Sequence, residues 1–119
     1  MASVLVVEDE PLIAEIVKEA ISDQGHSVVT ASCAREAYSL LEPEARSFAA
    51  IVTDVDLGAG PNGFALARRA RELNPDIQVA YMTGSAANLR HFEADKALMF
   101  PKPFSPTEMA EQLDLLIGS

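Results

Sequence analysis

Ser3-Val4-Leu5-Val6-Val7-Glu8-Asp9-Glu10-Pro11 is the stretch that decides the fold. Ser3–Val7 is an apolar, mostly β-branched run and reads as a buried strand. Three acids and a proline follow at once. Proline at a first helical turn sacrifices nothing, because that N–H has no intrahelical partner. Leu12, Ile13, Ile16, Val17, Ala20 and Ile21 then recur at helical spacing, and Gly25 stops the helix. A strand that runs through a few acids straight into a helix is one βα unit.

Outward from it the same unit recurs. Ser27–Ala31 is a second short strand. Ser32 is placed to cap a helix whose apolar face is Ala34, Ala37, Tyr38 and Leu41, closed by Glu42-Pro43. Residues 48–53 form a third strand, apolar enough to be buried on both faces. A loop rich in Gly, Pro and Asn runs from Asp56 to Gly63, and residues 64–73 form a helix that ends before Asn74-Pro75. Residues 77–82 are a fourth strand, residues 84–96 read weakly as helix through Leu89 and Phe92, and residues 97–100 are a fifth strand cut off by Pro101. Ser105-Pro106-Thr107-Glu108 has the form of a capping box with proline at the first position. The helix it opens carries Met109, Leu113, Leu116 and Ile117 on one side. Five strand–helix alternations imply a parallel sheet with helices on both faces, a (βα)5 α/β fold.

The chain has 119 residues, which fits one domain over residues 1–119. Its formal charge is −9, so direct binding to nucleic acid, which needs a basic face, is not expected. A metal pocket or a basic protein partner suits such a chain. The one cysteine, Cys33, permits no internal disulfide and agrees with a reducing compartment, so the cytoplasm is the expected location. Apolar runs are too short to cross a bilayer, so no membrane insertion is expected.

In parallel sheets of this kind the functional crevice lies at the carboxyl ends of the strands. The residues found there are Glu8 and Asp9, Asp54 and Asp56, Thr83, and Lys102. Taken singly, each has a plain structural explanation: acids after strands cap helices, a threonine sits in a turn, a lysine is solvated. Taken together they suggest chemistry. Mg²⁺ prefers hard oxygen ligands, and two or three neighbouring carboxylates supply them. A carboxylate can act as a nucleophile toward phosphorus, provided that charge on the entering phosphoryl group is offset. A lysine and a hydroxyl would hold the other phosphoryl oxygens.

The set resembles the receiver domain of two-component response regulators, over essentially the whole chain. The resemblance rests on Val4–Pro11, on Ile51-Val-Thr-Asp-Val-Asp-Leu57, on Met82-Thr-Gly84 and on Pro101-Lys-Pro-Phe104. It implies a flavodoxin-like, doubly wound sheet with strand order 2-1-3-4-5. It implies that Asp54 accepts a phosphoryl group from a histidine kinase or a histidine phosphotransfer protein. Glu8 and Asp9 would be the acidic pair at the Mg²⁺, Asp9 directly and Glu8 largely through water, with the backbone carbonyl of Asp56 as a further ligand. Thr83 would be the switch hydroxyl and Lys102 the phosphoryl contact, with a cis peptide between Lys102 and Pro103. The domain would not be an enzyme beyond its own phosphorylation and dephosphorylation. Were the sequence complete, output would pass through contacts with a downstream protein target or through onward phosphotransfer; were it excised from a longer regulator, the output domain would lie outside it.

Some features depart from the pattern. Met99 stands where the family usually has an aromatic, and Phe100 beside it belongs on the opposite face of a strand. Tyr81-Met-Thr-Gly84 is similar to a subgroup of stand-alone alphaproteobacterial receivers. The interval from Thr83 to Lys102 is short for the family and the loop from Asp54 to Gly63 is long. With Met99 in place of the switch aromatic on the fifth strand, the expected switch is movement of Thr83 and reordering of residues 84–96. Two other readings compete. One is a pseudo-receiver that binds partners without phosphorylation. The other is a haloacid-dehalogenase-like phosphatase, suggested by Asp54-Val55-Asp56, although in that family the motif lies near the start of the core fold.

Overall fold

The computed structural model describes residues 2–58, 62–84 and 97–118. The strands are β1 (Ser3–Val7), β2 (Ser27–Ala31), β3 (Ala50–Asp54), β4 (Gln78–Thr83) and β5 (Leu98–Pro101). All pairings are parallel and the order across the sheet is β2-β1-β3-β4-β5. The described helices are α1 (Pro11–Asp23), α2 (Ala34–Glu44), α3 (Gly63–Leu73) and α4 (Pro106–Ile117), with a short 3₁₀ turn at Ala45–Ser47. The weak helix expected over residues 84–96 falls, beyond Gly84, outside the described residues.

The two-residue period of each strand sorts its side chains onto two cores. Leu5, Val7, Ile51, Val79 and Tyr81 face one layer, where α2 and α3 contribute Leu41, Leu66 and Ala70. Val4, Val6, Val52, Ala80 and Met82 face the other, where α1 and α4 contribute Val17, Ile21, Met109 and Leu113. This double burial is why β3 reads as an unbroken apolar run, and all five of its residues are buried. At the sheet's edge β2 is different, with Ser27, Val29 and Thr30 exposed.

Several local expectations need correction. Ser32 does not cap α2: Cys33 occupies the cap position without a side-chain bond, while the Ser32 N–H and Oγ–H both donate to Glu36 Oε1 at 2.7 and 2.9 Å. Pro43 lies inside α2, which runs on to Glu44. β3 starts at Ala50, because Phe48 is still part of the turn, its N–H donating to Ala45 O at 3.1 Å. β4 and β5 each start and end one residue later than expected. α3 begins at Gly63, capped by Asn62, whose Oδ1 accepts the Ala65 N–H at 3.0 Å. Leu12, Ile16 and Leu116, assigned to apolar faces by spacing, are exposed. Gly25 does end its helix, at φ +96°, and Ser105 does cap α4, its Oγ accepting the Glu108 N–H at 3.2 Å.

Candidate functional site

The parity that sorts the core also builds the site. Glu8 follows β1, Asp54 ends β3 and Lys102 follows β5. All three continue the alternation of Val4, Val6, Val52 and Phe100, the face packed by α1 and α4. Lys102 Nζ donates to Asp54 Oδ2 at 3.1 Å and to Glu8 Oε2 at 3.3 Å, tying three strand ends together across 48 and 94 residues of sequence. Asp9 stands beside them: carboxylate oxygens of Glu8, Asp9 and Asp54 all lie within 4.8 Å of one another. Glu8 and Asp54 are buried and Asp9 is exposed, so the cluster has a floor and an open mouth.

Backbone donors fix the buried carboxylates. The Glu10 N–H donates to Glu8 Oε1 at 3.1 Å, and the Asp56 N–H to Asp54 Oδ1 at 3.2 Å. Burial pushes the Glu8 carboxyl up from 4.5 to about 7, helped by the Asp54 charge, against the pull of the Glu10 N–H and Lys102. Partial burial pulls the Lys102 ammonium down. Its bonds to Asp54 and the charges of Asp54 and Glu8 outweigh that, and the net direction is up. The ammonium therefore stays charged where an anion would have to be held.

The other residues read from the sequence take these places. Thr83 is the last residue of β4, buried, and its carbonyl accepts the Lys102 N–H at 2.7 Å. Its position in the pleat is that of Tyr81, on the α2/α3 face. The Asp56 side chain is exposed and is not one of the three clustered carboxylates; its N–H donates to Asp54 Oδ1. The Lys102–Pro103 peptide is cis, as the resemblance implied.

Gly63 has a role that sequence reasoning did not assign. A Cβ on it would lie 2.3 Å from the Asp54 carbonyl oxygen and 3.0 Å from Val55 Cα. Its N–H donates to Val55 O at 2.8 Å. The first residue of α3 thus rests on the backbone of Asp54 and Val55, and only glycine permits the approach. The signal available in the sequence was a glycine after Asn62 at a helix start. Nothing local said what it would touch.

Beside the cluster lies an apolar groove of about 390 Å³ lined by Ile13, Ile16, Val17, Pro103, Phe104 and Pro106, with Lys102 at one side. Leu12 and Ile16 on α1 are 80% and 49% exposed. Apolar side chains in the open beside a polar cluster are a feature of contact surfaces.

A parallel α/β sheet with an acidic cluster and one lysine at its carboxyl end defines a flavodoxin-like domain whose site lies at the strand tips. The chain belongs to the response regulator receiver domain family, whose model matches residues 4–114. It is a receiver domain of two-component signalling, a family not generally composed of classical enzymes. It is 27% identical to the response regulator receiver protein CpdR of Brucella abortus, over 98% of both chains. It is 33% identical to the sensor kinase CckA of the same organism over 92% of this chain but only 12% of that one. Among solved structures, the non-phosphorylated HemR receiver domain from Leptospira biflexa is 30% identical with a TM-score of 0.82, over 100% of this chain and 96% of that one. Neither the pseudo-receiver nor the phosphatase reading is favoured by these likenesses. Among the described residues no helix is long and apolar enough to cross a membrane.

Proposed function

We propose that Asp54 accepts a phosphoryl group from the phosphohistidine of a kinase or phosphotransfer partner, in a Mg²⁺-dependent reaction. The observation that carries this is the meeting of Glu8, Asp9, Asp54 and Lys102 at the ends of three strands. An Asp54 oxygen forms the new O–P bond as the P–N bond breaks and the imidazole departs with the electron pair. Asp54 is buried at the floor of the cluster, which limits the approach of water to the acyl phosphate. Lys102 already bonds the Asp54 carboxylate and is placed to follow the transferred oxygens. Thr83 supplies a hydroxyl at the neighbouring strand end.

The donor set suits Mg²⁺. Octahedral ligands at 2.0–2.1 Å stand about 3 Å apart when adjacent and about 4.2 Å when opposite. The carboxylate oxygens, all within 4.8 Å, need only a small adjustment to reach that. Asp9 and Asp54 would hold the ion, with Glu8 through water and the Asp56 carbonyl as a further ligand. Bound there, Mg²⁺ would offset the charge gathered on the entering group. The domain would promote only its own phosphorylation and dephosphorylation. The exposed Leu12 and Ile16 beside the groove supply an apolar footing for the protein donor, and the lone cysteine fits a cytoplasmic partner.

Incubation with phosphoramidate and Mg²⁺, followed by intact-protein mass spectrometry, tests the reading. A single phosphoryl adduct is expected, absent in Asp54→Ala and weakened in Lys102→Ala, and Asp9→Asn should bind Mg²⁺ more weakly. An adduct that survives Asp54→Ala would overturn the assignment. Multiple turnover without an adduct would point to a phosphatase.

A further inference from the structure

Gly63 packs on the Asp54 and Val55 backbone. The next residue is Phe64, and its ring meets Tyr81 edge to face, with centroids 4.7 Å apart and planes at 65°. Tyr81 is fully buried on β4, between Thr53 of β3 and Met99 of β5 in register. Two residues further along, β4 ends at Thr83, whose carbonyl holds the Lys102 N–H, and Lys102 returns to Asp54.

These contacts close a ring: Asp54, Gly63, Phe64, Tyr81, Thr83, Lys102 and Asp54 again. We propose that the Phe64–Tyr81 pair is a positioning element that carries the state of Asp54 into α3. The proposal rests on Asp54 being the phosphoacceptor. Three physical features support it. The start of α3 cannot stay in place if the Asp54–Val55 backbone moves, because no side chain separates them. A packed aromatic pair in a dense interior changes between discrete arrangements and does not deform smoothly. Met99, half-buried opposite Tyr81, is unbranched and adaptable, so it can repack around a new ring position where a rigid aromatic could not.

The chain has two tyrosines and no tryptophan, so Tyr38→Phe leaves Tyr81 as the single tyrosine. The full chain carrying this change, labelled with 3-fluorotyrosine, is followed by ¹⁹F NMR on addition of beryllium chloride, fluoride and Mg²⁺. Amide spectra of the ¹⁵N-labelled protein report Asp54 and α3 in parallel. When the Asp54 amide shows that beryllofluoride has bound, the Tyr81 resonance and the α3 amides beyond Leu66 should shift with it. Phe64→Leu should keep the Asp54 response and lose the α3 response, and Phe64→Tyr should restore it. A bound beryllofluoride with an unmoved Tyr81 resonance overturns the proposal, as does an intact α3 response in Phe64→Leu. The single-tyrosine protein decides the question even where Phe64→Leu does not fold. A protein in which Asp54 shows no beryllofluoride binding overturns the phosphoacceptor reading, and the proposal falls with it.

Discussion

In the absence of divalent cations, Glu8 should cost the protein stability as the pH rises through neutrality, and Glu8→Gln should abolish that loss. The Glu8 side chain is buried and its carboxyl stands at about 7 in the fold against 4.5 unfolded. The folded protein therefore binds this proton more tightly than the unfolded chain does. The stability it provides is complete below about 4.5, falls as pH climbs toward 7, and is gone above. The full effect is about 3 kcal/mol, and most of it falls between about pH 5 and about pH 8. The two Glu8 oxygens accept from Glu10 N–H and Lys102. Glutamine can accept only one of these bonds well, which costs the variant something at every pH. The readout is therefore the change in the gap between the two proteins, since the other acids titrate in both and largely cancel. Urea unfolding in EDTA at the two pH values measures it. The variant should gain about 2–3 kcal/mol on wild type from the lower to the higher pH, a midpoint shift of roughly 1–2 M. A gap of the same size at both pH values would refute the reasoning.

Two further predictions concern the scaffold. Gly63→Ala should destabilise by about 1–3 kcal/mol, because its Cβ meets backbone that cannot rotate away; unfolding within experimental error of wild type would show that the approach is looser than these distances imply. Asn74 is buried, donating from Nδ2 to the Ala45 and Phe48 carbonyls at 3.1 and 3.0 Å and accepting the Asp76 N–H at 3.1 Å. Asn74→Ala should cost about 2 kcal/mol or more by leaving these groups unpaired, and an unchanged thermal midpoint would mean that water replaces the side chain fully.

The strand–helix alternation was legible because hydrophobic period is a local property. Ser3–Val7 and the run through Val52 must be buried whatever they pack against. Polarity right after the strand runs, the fifth included, marked Glu8, Asp9, Asp54 and Lys102, and parity along the strands then put Glu8, Asp54 and Lys102 on one face. Element ends were less legible, since they depend on caps that compete. Ser32 lost its capping role because the Glu36 carboxylate bonds it instead, and Asn62 took a cap that apolar spacing does not register. Leu12 and Ile16 fit the spacing of an apolar face and are nonetheless exposed, since spacing says which side of α1 is apolar but not how far the neighbouring layer extends over it. Gly63 against the Asp54 carbonyl and Phe64 against Tyr81 were decided only by the tertiary structure. Each joins residues on different elements, and such a distance is set by how the sheet twists and where the helix lands on it, which no run of neighbouring residues encodes.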